Sequence, residues 1–138
     1  MKLTAVGLFK ASGTGDPIKL GFSADLTTFG YFQRSTVADM MTFVSRTVIK
    51  RTEQGSRQSV QEQEYYCHVY VNRDGLGGVA FVDKEYPARA AFCVVYKAID
   101  DFVAAAGDSW KVTTADNNTA DTILEACLAK YQVCWRRT

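Results

Sequence analysis

With 138 residues, 47% of them hydrophobic and 22% charged, the chain has the composition of one folded domain and not of a disordered segment. A formal net charge of +1 supplies no field to gather nucleic acid or an anionic membrane, so partners must be selected by shape and apolar contact. No apolar run approaches the ~20 residues that would span a bilayer.

Leu3 to Ala11 and Ile18 to Ala24 read as two strands, with Ser12 to Pro17 supplying the turn of a first hairpin. Leu3 to Phe9 also resembles the apolar part of a signal peptide. It is very short, and Lys10 follows it, so a first strand is the better reading. An aromatic knot, Phe29-Gly-Tyr-Phe32, precedes a helical pattern from about Ser35 to Glu53, started near Arg34 or Ser35 and stopped by Gln54-Gly55. Val37, Met40, Met41, Val44 and Val48 fall on one stripe of that helix and are expected to pack on a sheet. Phe43 lies about a hundred degrees round from Val44, at the stripe's margin.

Gln58 to Glu64 has strand length but is almost wholly polar, which suits an edge strand. Tyr65 to Val71 is a richer strand, Asp74-Gly75 a tight turn, and Gly78 to Val82 its return. Glu85-Tyr-Pro87 opens a second helix with Ala91, Phe92, Val95, Ile99, Phe102 and Val103 on its apolar face, and Gly107 ends it. After a polar loop containing Trp110, Asn118 or Thr119 is placed to cap a last helix carrying Ile123, Leu124, Cys127, Leu128 and Tyr131. The order is ββαβββαα, an α+β domain. Five strands joined mainly by hairpins imply an antiparallel sheet, with the first helix on one face and the other two on the second. The polar third strand then lies at an edge beside the helix margin that carries Phe43. Such a site suits an added strand, a helix or an acyl chain.

The best catalytic-looking pair is Cys67-His68, but neighbours on a strand point to opposite faces and cannot meet. His68 is the only histidine, and Cys67, Cys93, Cys127 and Cys134 lack zinc-ligand spacing. Their wide spacing favours reduced, buried thiols over disulfides. Gly75-Leu-Gly-Gly78 lacks the lysine and helix of a phosphate loop and is hairpin chemistry instead. Glu62 and Glu64, two residues apart, share a strand face as edge charges rather than a catalytic pair. Arg46, Lys50 and Arg51 suit the end of the first helix, and Asn117-Asn-Thr119 is a polar loop. Neither metal nor cofactor is expected.

Phe32-Gln-Arg-Ser-Thr-Val37, Met41-Thr-Phe43, Gly55-Ser-Arg57, Ser59-Val60, Glu62-Gln-Glu-Tyr65, Cys67-His-Val-Tyr-Val71 and Glu85-Tyr-Pro87 with Arg89 closely resemble the N-terminal longin domain of the Ykt-type R-SNARE. The resemblance covers residues 1–132, taken as the longin domain, with 133–138 as a tail. It implies the profilin-like longin fold, ββαβββαα. It also implies a non-enzymatic module of a lipid-anchored SNARE in vesicle-mediated transport and membrane fusion between endoplasmic reticulum, Golgi and vacuole or endosome. In that family the domain folds back on the adjoining SNARE helix and shelters the C-terminal lipid in an apolar groove, giving a closed, autoinhibited state and directing targeting. By matching position the groove aromatic is Phe43, with Phe32, Met40, Thr47, Val60 and Tyr65 as neighbours in apolar contact. The implied partners are the protein's own SNARE helix and lipid anchor and other SNARE proteins, with no nucleic acid. The implied state is a monomer, cytoplasmic with peripheral attachment to Golgi, vesicle and endosomal or vacuolar membranes.

The family continues into a heptad-patterned helix with a central arginine and ends in a prenylation motif, whereas this sequence ends at Val133-Cys-Trp-Arg-Arg-Thr138. Cys134 does not stand at a Cys-a-a-X position. The expectation is therefore either an excised domain or a free-standing longin protein, and this stretch alone lacks the coiled-coil segment that zippers membranes together. Two other classes are consistent with the residues. One is a longin-like subunit of a coat adaptor or tethering complex, with a larger exposed apolar patch. The other is an enzyme using Cys67, Cys93 or Cys127, which would need an accessible low-pKa thiol where burial is expected for all three.

Overall fold

The computed structural model describes residues 2–13 and 15–132. The tail and its Cys134 lie outside the described residues. In chain order the elements are β1 (Leu3–Lys10), β2 (Ile18–Ala24), α1 (Arg34–Lys50), β3 (Ser56–Glu62), β4 (Tyr65–Val71), β5 (Leu76–Asp83), α2 (Ala88–Ala106) and α3 (Asp121–Tyr131). The strands form one antiparallel sheet in the order β2-β1-β5-β4-β3. The expected α+β sandwich is therefore present, with β3 at an edge.

Alternation of side chains assigns the two cores. Ala5, Phe9, Cys67, Val69, Val71, Val79 and Phe81 meet Met41, Val48 and Ile49 of α1. Leu8, Leu76, Ala80 and Val82 belong to the other core, with Val95, Ile99 and Phe102 of α2 and Leu124 and Leu128 of α3. The second layer approaches closely enough to require glycine in the sheet. A Cβ on Gly78 would stand 2.7 Å from Cγ1 of Val95, and one on Gly21 would stand 2.8 Å from Cβ of Ala120.

The two sheet edges differ. Along β2, Lys19 N donates to Asp116 Oδ1 at 2.9 Å, Asn117 N to Lys19 O at 2.8 Å, Ala120 N to Leu20 O at 2.9 Å and Phe22 N to Asp121 Oδ1 at 2.9 Å. The segment leading into α3 thus seals that edge. Arg46 ties it down from the opposite helix by donating to Asp116 and to Pro17 O, and this ion pair holds the Asp116 carboxyl below its usual range. The outer side of β3 has no strand beside it among the described residues.

Several boundaries shift from expectation. The end of α1 comes at Lys50, where Arg51 N and Thr52 N bond back to Val48 O and Ile49 O and tighten the chain out of the helix. Strand β3 starts at Ser56 and stops at Glu62, so Gln63 and Glu64 form the turn and the two glutamates do not share a strand face. The buried face of α2 is Ala91, Val94, Val95, Ala98, Ile99 and Phe102; Phe92 is half-buried, and Val103, a hundred degrees beyond Phe102, is exposed. Neither Asn118 nor Thr119 caps α3. The residue before that helix is Ala120, wedged against Gly21 where a polar side chain has no room. The Asn117 side chain instead accepts from Thr119 N and Oγ1 at 3.0 and 2.8 Å.

Candidate functional site

The candidate site is a trough between α1 and the open edge strand β3. One part, about 370 Å³, is lined by Met40, Phe43, Val44, Thr47, Val48 and Arg51 of the helix side and Gln58, Val60 and Glu62 of β3. A smaller, mainly apolar part of about 80 Å³ adjoins it, lined by Phe29, Val37, Met40, Met41, Val44, Glu62, Gln63, Tyr65 and Phe81. The two share Met40, Val44 and Glu62 and so form one depression. Its shape follows from the two periodicities. In β3, Ser56, Gln58, Val60 and Glu62 are the partly buried residues and their neighbours are exposed, so every second side chain turns towards α1. In α1, Met41, Ser45, Val48 and Ile49 take the sheet, which leaves Met40, Phe43 and Thr47 on the flank facing β3 and solvent.

Of the residues expected to act together, Met40, Phe43, Thr47 and Val60 line the larger part and Tyr65 the smaller. Phe43 is 69% exposed and Met40 43% exposed. Met40 was expected on the sheet-facing stripe. The stripe is centred on Met41 and Val48, with Ser45 and Ile49 completing it, and this rotates Met40 out and carries Phe43 well past the margin. Thr47 spends its hydroxyl on Phe43 O at 2.9 Å, so it brings no unmet polar demand to the trough. Phe32 is not brought there. It stands 93% exposed in the 3-10 turn Tyr31–Gln33, edge-on to Tyr31 at 5.3 Å, and lines neither part.

Phe29 occupies the place expected of Phe32, half-buried with its ring 6.2 Å from that of Tyr65. Sequence reasoning marked the aromatic knot but had no means of choosing which ring turns inward. It also missed Gln63, a non-glycine residue at φ 56° in the tight β3–β4 turn on the trough's rim. Burial, then the nearby Asp83 and Glu64 carboxylates, raise the Tyr65 hydroxyl pKa, so that phenol stays neutral.

The regulated-SNARE-like domain family, Longin, matches residues 26–125. The chain belongs to the longin family. It is 42% identical over 133 residues to the VAMP-like protein YKT61 of Arabidopsis thaliana, a match covering 96% of this chain and 66% of the relative. The synaptobrevin homologs YKT6 of Candida glabrata and of Saccharomyces cerevisiae are 38% and 37% identical, again over 96% of this chain and over 67% and 66% of theirs. The chain thus spans about two thirds of the length of these curated relatives.

The longin family is non-enzymatic, and in this longin domain the sheet itself separates the adjacent Cys67 and His68. Cys67 packs in the α1-side core, where burial and then Glu62 push its thiol up to about 12. His68 lies on the other face, buried against Tyr66 and Phe92, with Nδ1 2.7 Å from Ser59 Oγ. Cys127 is also buried, but Cys93 is exposed, contrary to expectation, because α2 packs through Ala91, Val94 and Val95 and turns the intervening Cys93 outward. Among the described residues no group of three histidine, cysteine or acidic side chains is placed to hold a metal ion, and no helix is long and apolar enough to cross a membrane.

Proposed function

We propose that this longin domain is the regulatory module of a Ykt-type R-SNARE in vesicle-mediated transport and membrane fusion, and that the α1–β3 trough receives that protein's SNARE helix and lipid anchor. Occupation gives a closed, autoinhibited state that is soluble in the cytoplasm. Release permits peripheral attachment to Golgi, vesicle and endosomal or vacuolar membranes and pairing with other SNARE proteins. The domain acts as a monomer. The observation that carries the reading is the trough, where Phe43, Met40 and Val60 leave apolar surface uncovered beside a strand whose outer edge is open. Burying such surface against an acyl or prenyl chain is worth roughly 0.8 kcal/mol per methylene.

A photo-crosslinking farnesyl analogue carried on cysteine methyl ester tests this. Attachment should map by mass spectrometry to peptides of α1 and β3 containing Met40, Phe43 or Val60, and excess unlabelled S-farnesylcysteine methyl ester should compete. Attachment only to the α2–α3 side, or none that competes, would sink the assignment.

A further inference from the structure

On the sheet face opposite the trough lies a second concavity. Arg57 and Ser59 of β3 face Arg89, Phe92, Cys93 and Tyr96 of α2 across a cavity of about 480 Å³. Two guanidinium groups line it and no carboxylate does. Arg57 is set in place, lying over the Phe92 ring at 5.2 Å and giving one N–H to the Tyr96 hydroxyl at 3.3 Å, with most of its donors unspent. Neither arginine has a carboxylate partner among the described residues. Elsewhere Lys2 pairs with Asp25, Arg46 with Asp116, Lys50 with Asp16 and Lys97 with Asp101. Arg89 stands in the first turn of α2, where the helix dipole also favours a negative charge.

We propose that the cavity between β3 and α2 is a phosphate-recognition pocket for a phosphorylated side chain of a peptide, with Arg57 and Arg89 clamping the phosphate. Planar guanidinium forks suit phosphate oxygens better than any other side chain does. Phe92 and Tyr96 supply aromatic walls that a phosphoaryl side chain fills and a free anion leaves bare. A peptide is the favoured source because the pocket abuts the β3 edge, which among the described residues is open to an extended chain. The site lies across the sheet from the trough and stands or falls separately from it.

The chain carries its own reporters. His68 is its only histidine, and it contacts both Ser59 and Phe92 of the wall, so its ring resonances sense occupancy. Cys93 is an exposed thiol inside the pocket. Titration of the 138-residue chain with N-acetyl-O-phosphotyrosine amide should shift the His68 signals saturably and slow alkylation of Cys93 by iodoacetamide. The unphosphorylated amide should do neither. Arg89→Gln, at an exposed position that leaves the Arg57–Phe92 contact in place, should weaken binding about tenfold or more. No saturable shift, or unchanged affinity in Arg89→Gln with its fold intact, overturns the pocket. If inorganic phosphate or inositol 1,4,5-trisphosphate binds as tightly as the phosphotyrosine derivative, the peptide assignment is overturned.

Discussion

Replacing Phe43 separates a docking role from a structural one. Full burial of a phenylalanine side chain is worth about 1.5–3 kcal/mol. Because Phe43 is 69% exposed, an occupant covering it completely gains about two thirds of that, or about 1–2 kcal/mol. Phe43→Ala should therefore weaken binding of a dansyl-labelled S-farnesylcysteine methyl ester about five- to thirtyfold. Phe43→Glu should weaken it further, since the carboxylate must be desolvated beneath the ligand. Neither change should shift stability by more than about 0.5 kcal/mol, as expected of an exposed position. The introduced carboxylate would stand four residues from Asp39 and three from Arg46, one like and one unlike neighbour, so the helix electrostatics nearly cancel. Fluorescence titration gives the affinity, and urea unfolding followed by circular dichroism gives the stability. A variant that keeps its urea midpoint and binds as tightly as the parent would refute the trough as the lipid site. Loss of several kcal/mol of stability would show instead that Phe43 supports the fold.

Gly78→Ala should cost about 1–3 kcal/mol in urea unfolding, because its Cβ is forced to 2.7 Å from Val95 in a packed layer; an unchanged midpoint would mean α2 can move off the sheet freely. Desolvation lowers the pKa of His68, so the unfolded chain takes up its proton first as pH falls through about 6.5. The stability tied to neutral His68 is thus complete above that pH and is lost below it, down to the folded pKa. Between pH 7.5 and 5 the parent's urea midpoint should accordingly fall more than that of His68→Gln, and parallel curves would contradict the assignment. With iodoacetamide under native conditions, peptide mapping should find Cys93 labelled promptly and Cys67 and Cys127 labelled only after unfolding. Prompt native labelling of Cys67 would be incompatible with its packing beneath α1.

What the sequence made legible follows from which physical signals are local. Strand and helix order, the antiparallel sheet and the polar edge strand all came from periodicity and turn chemistry, which neighbouring residues carry. The rotation of α1 did not. A stripe containing both Met40 and Met41 is compatible with several orientations, and only the depth of Ser45 and Ile49 against the sheet fixes one. Ser45 in particular gives no apolar signal; its hydroxyl can be buried because Oγ donates a hydrogen bond to Met41 O at 2.7 Å. The choice of Phe29 over Phe32 rests on the course of a turn, and the inward placement of Ala120 rests on a glycine a hundred residues away. That Arg57 and Arg89 line one cavity was equally invisible, because it depends on strand and helix meeting across the sheet edge.

The unequal treatment of the two edges fits the placement of both proposed binding surfaces at one. A free strand edge exposes backbone donors and acceptors and invites uncontrolled pairing. At β2 the fold removes that hazard by laying the 116–121 segment along it and locking the segment with Arg46 from the other side of the sheet. At β3 it blunts the edge with polar side chains, Ser56, Arg57, Gln58, Ser59, Gln61 and Glu62, and leaves the backbone uncovered. The edge left open at β3 is the one that both proposed surfaces flank. The two faces of that strand then divide the work by composition. Gln58, Val60 and Glu62 line the trough with Phe43, Met40 and Val44, the surface proposed for an apolar occupant, whereas Arg57 and Ser59 line the other cavity with Arg89 and Tyr96, the surface proposed for an anionic one. One exposed strand thereby offers two chemically distinct surfaces, each built mainly from its own alternate set of side chains.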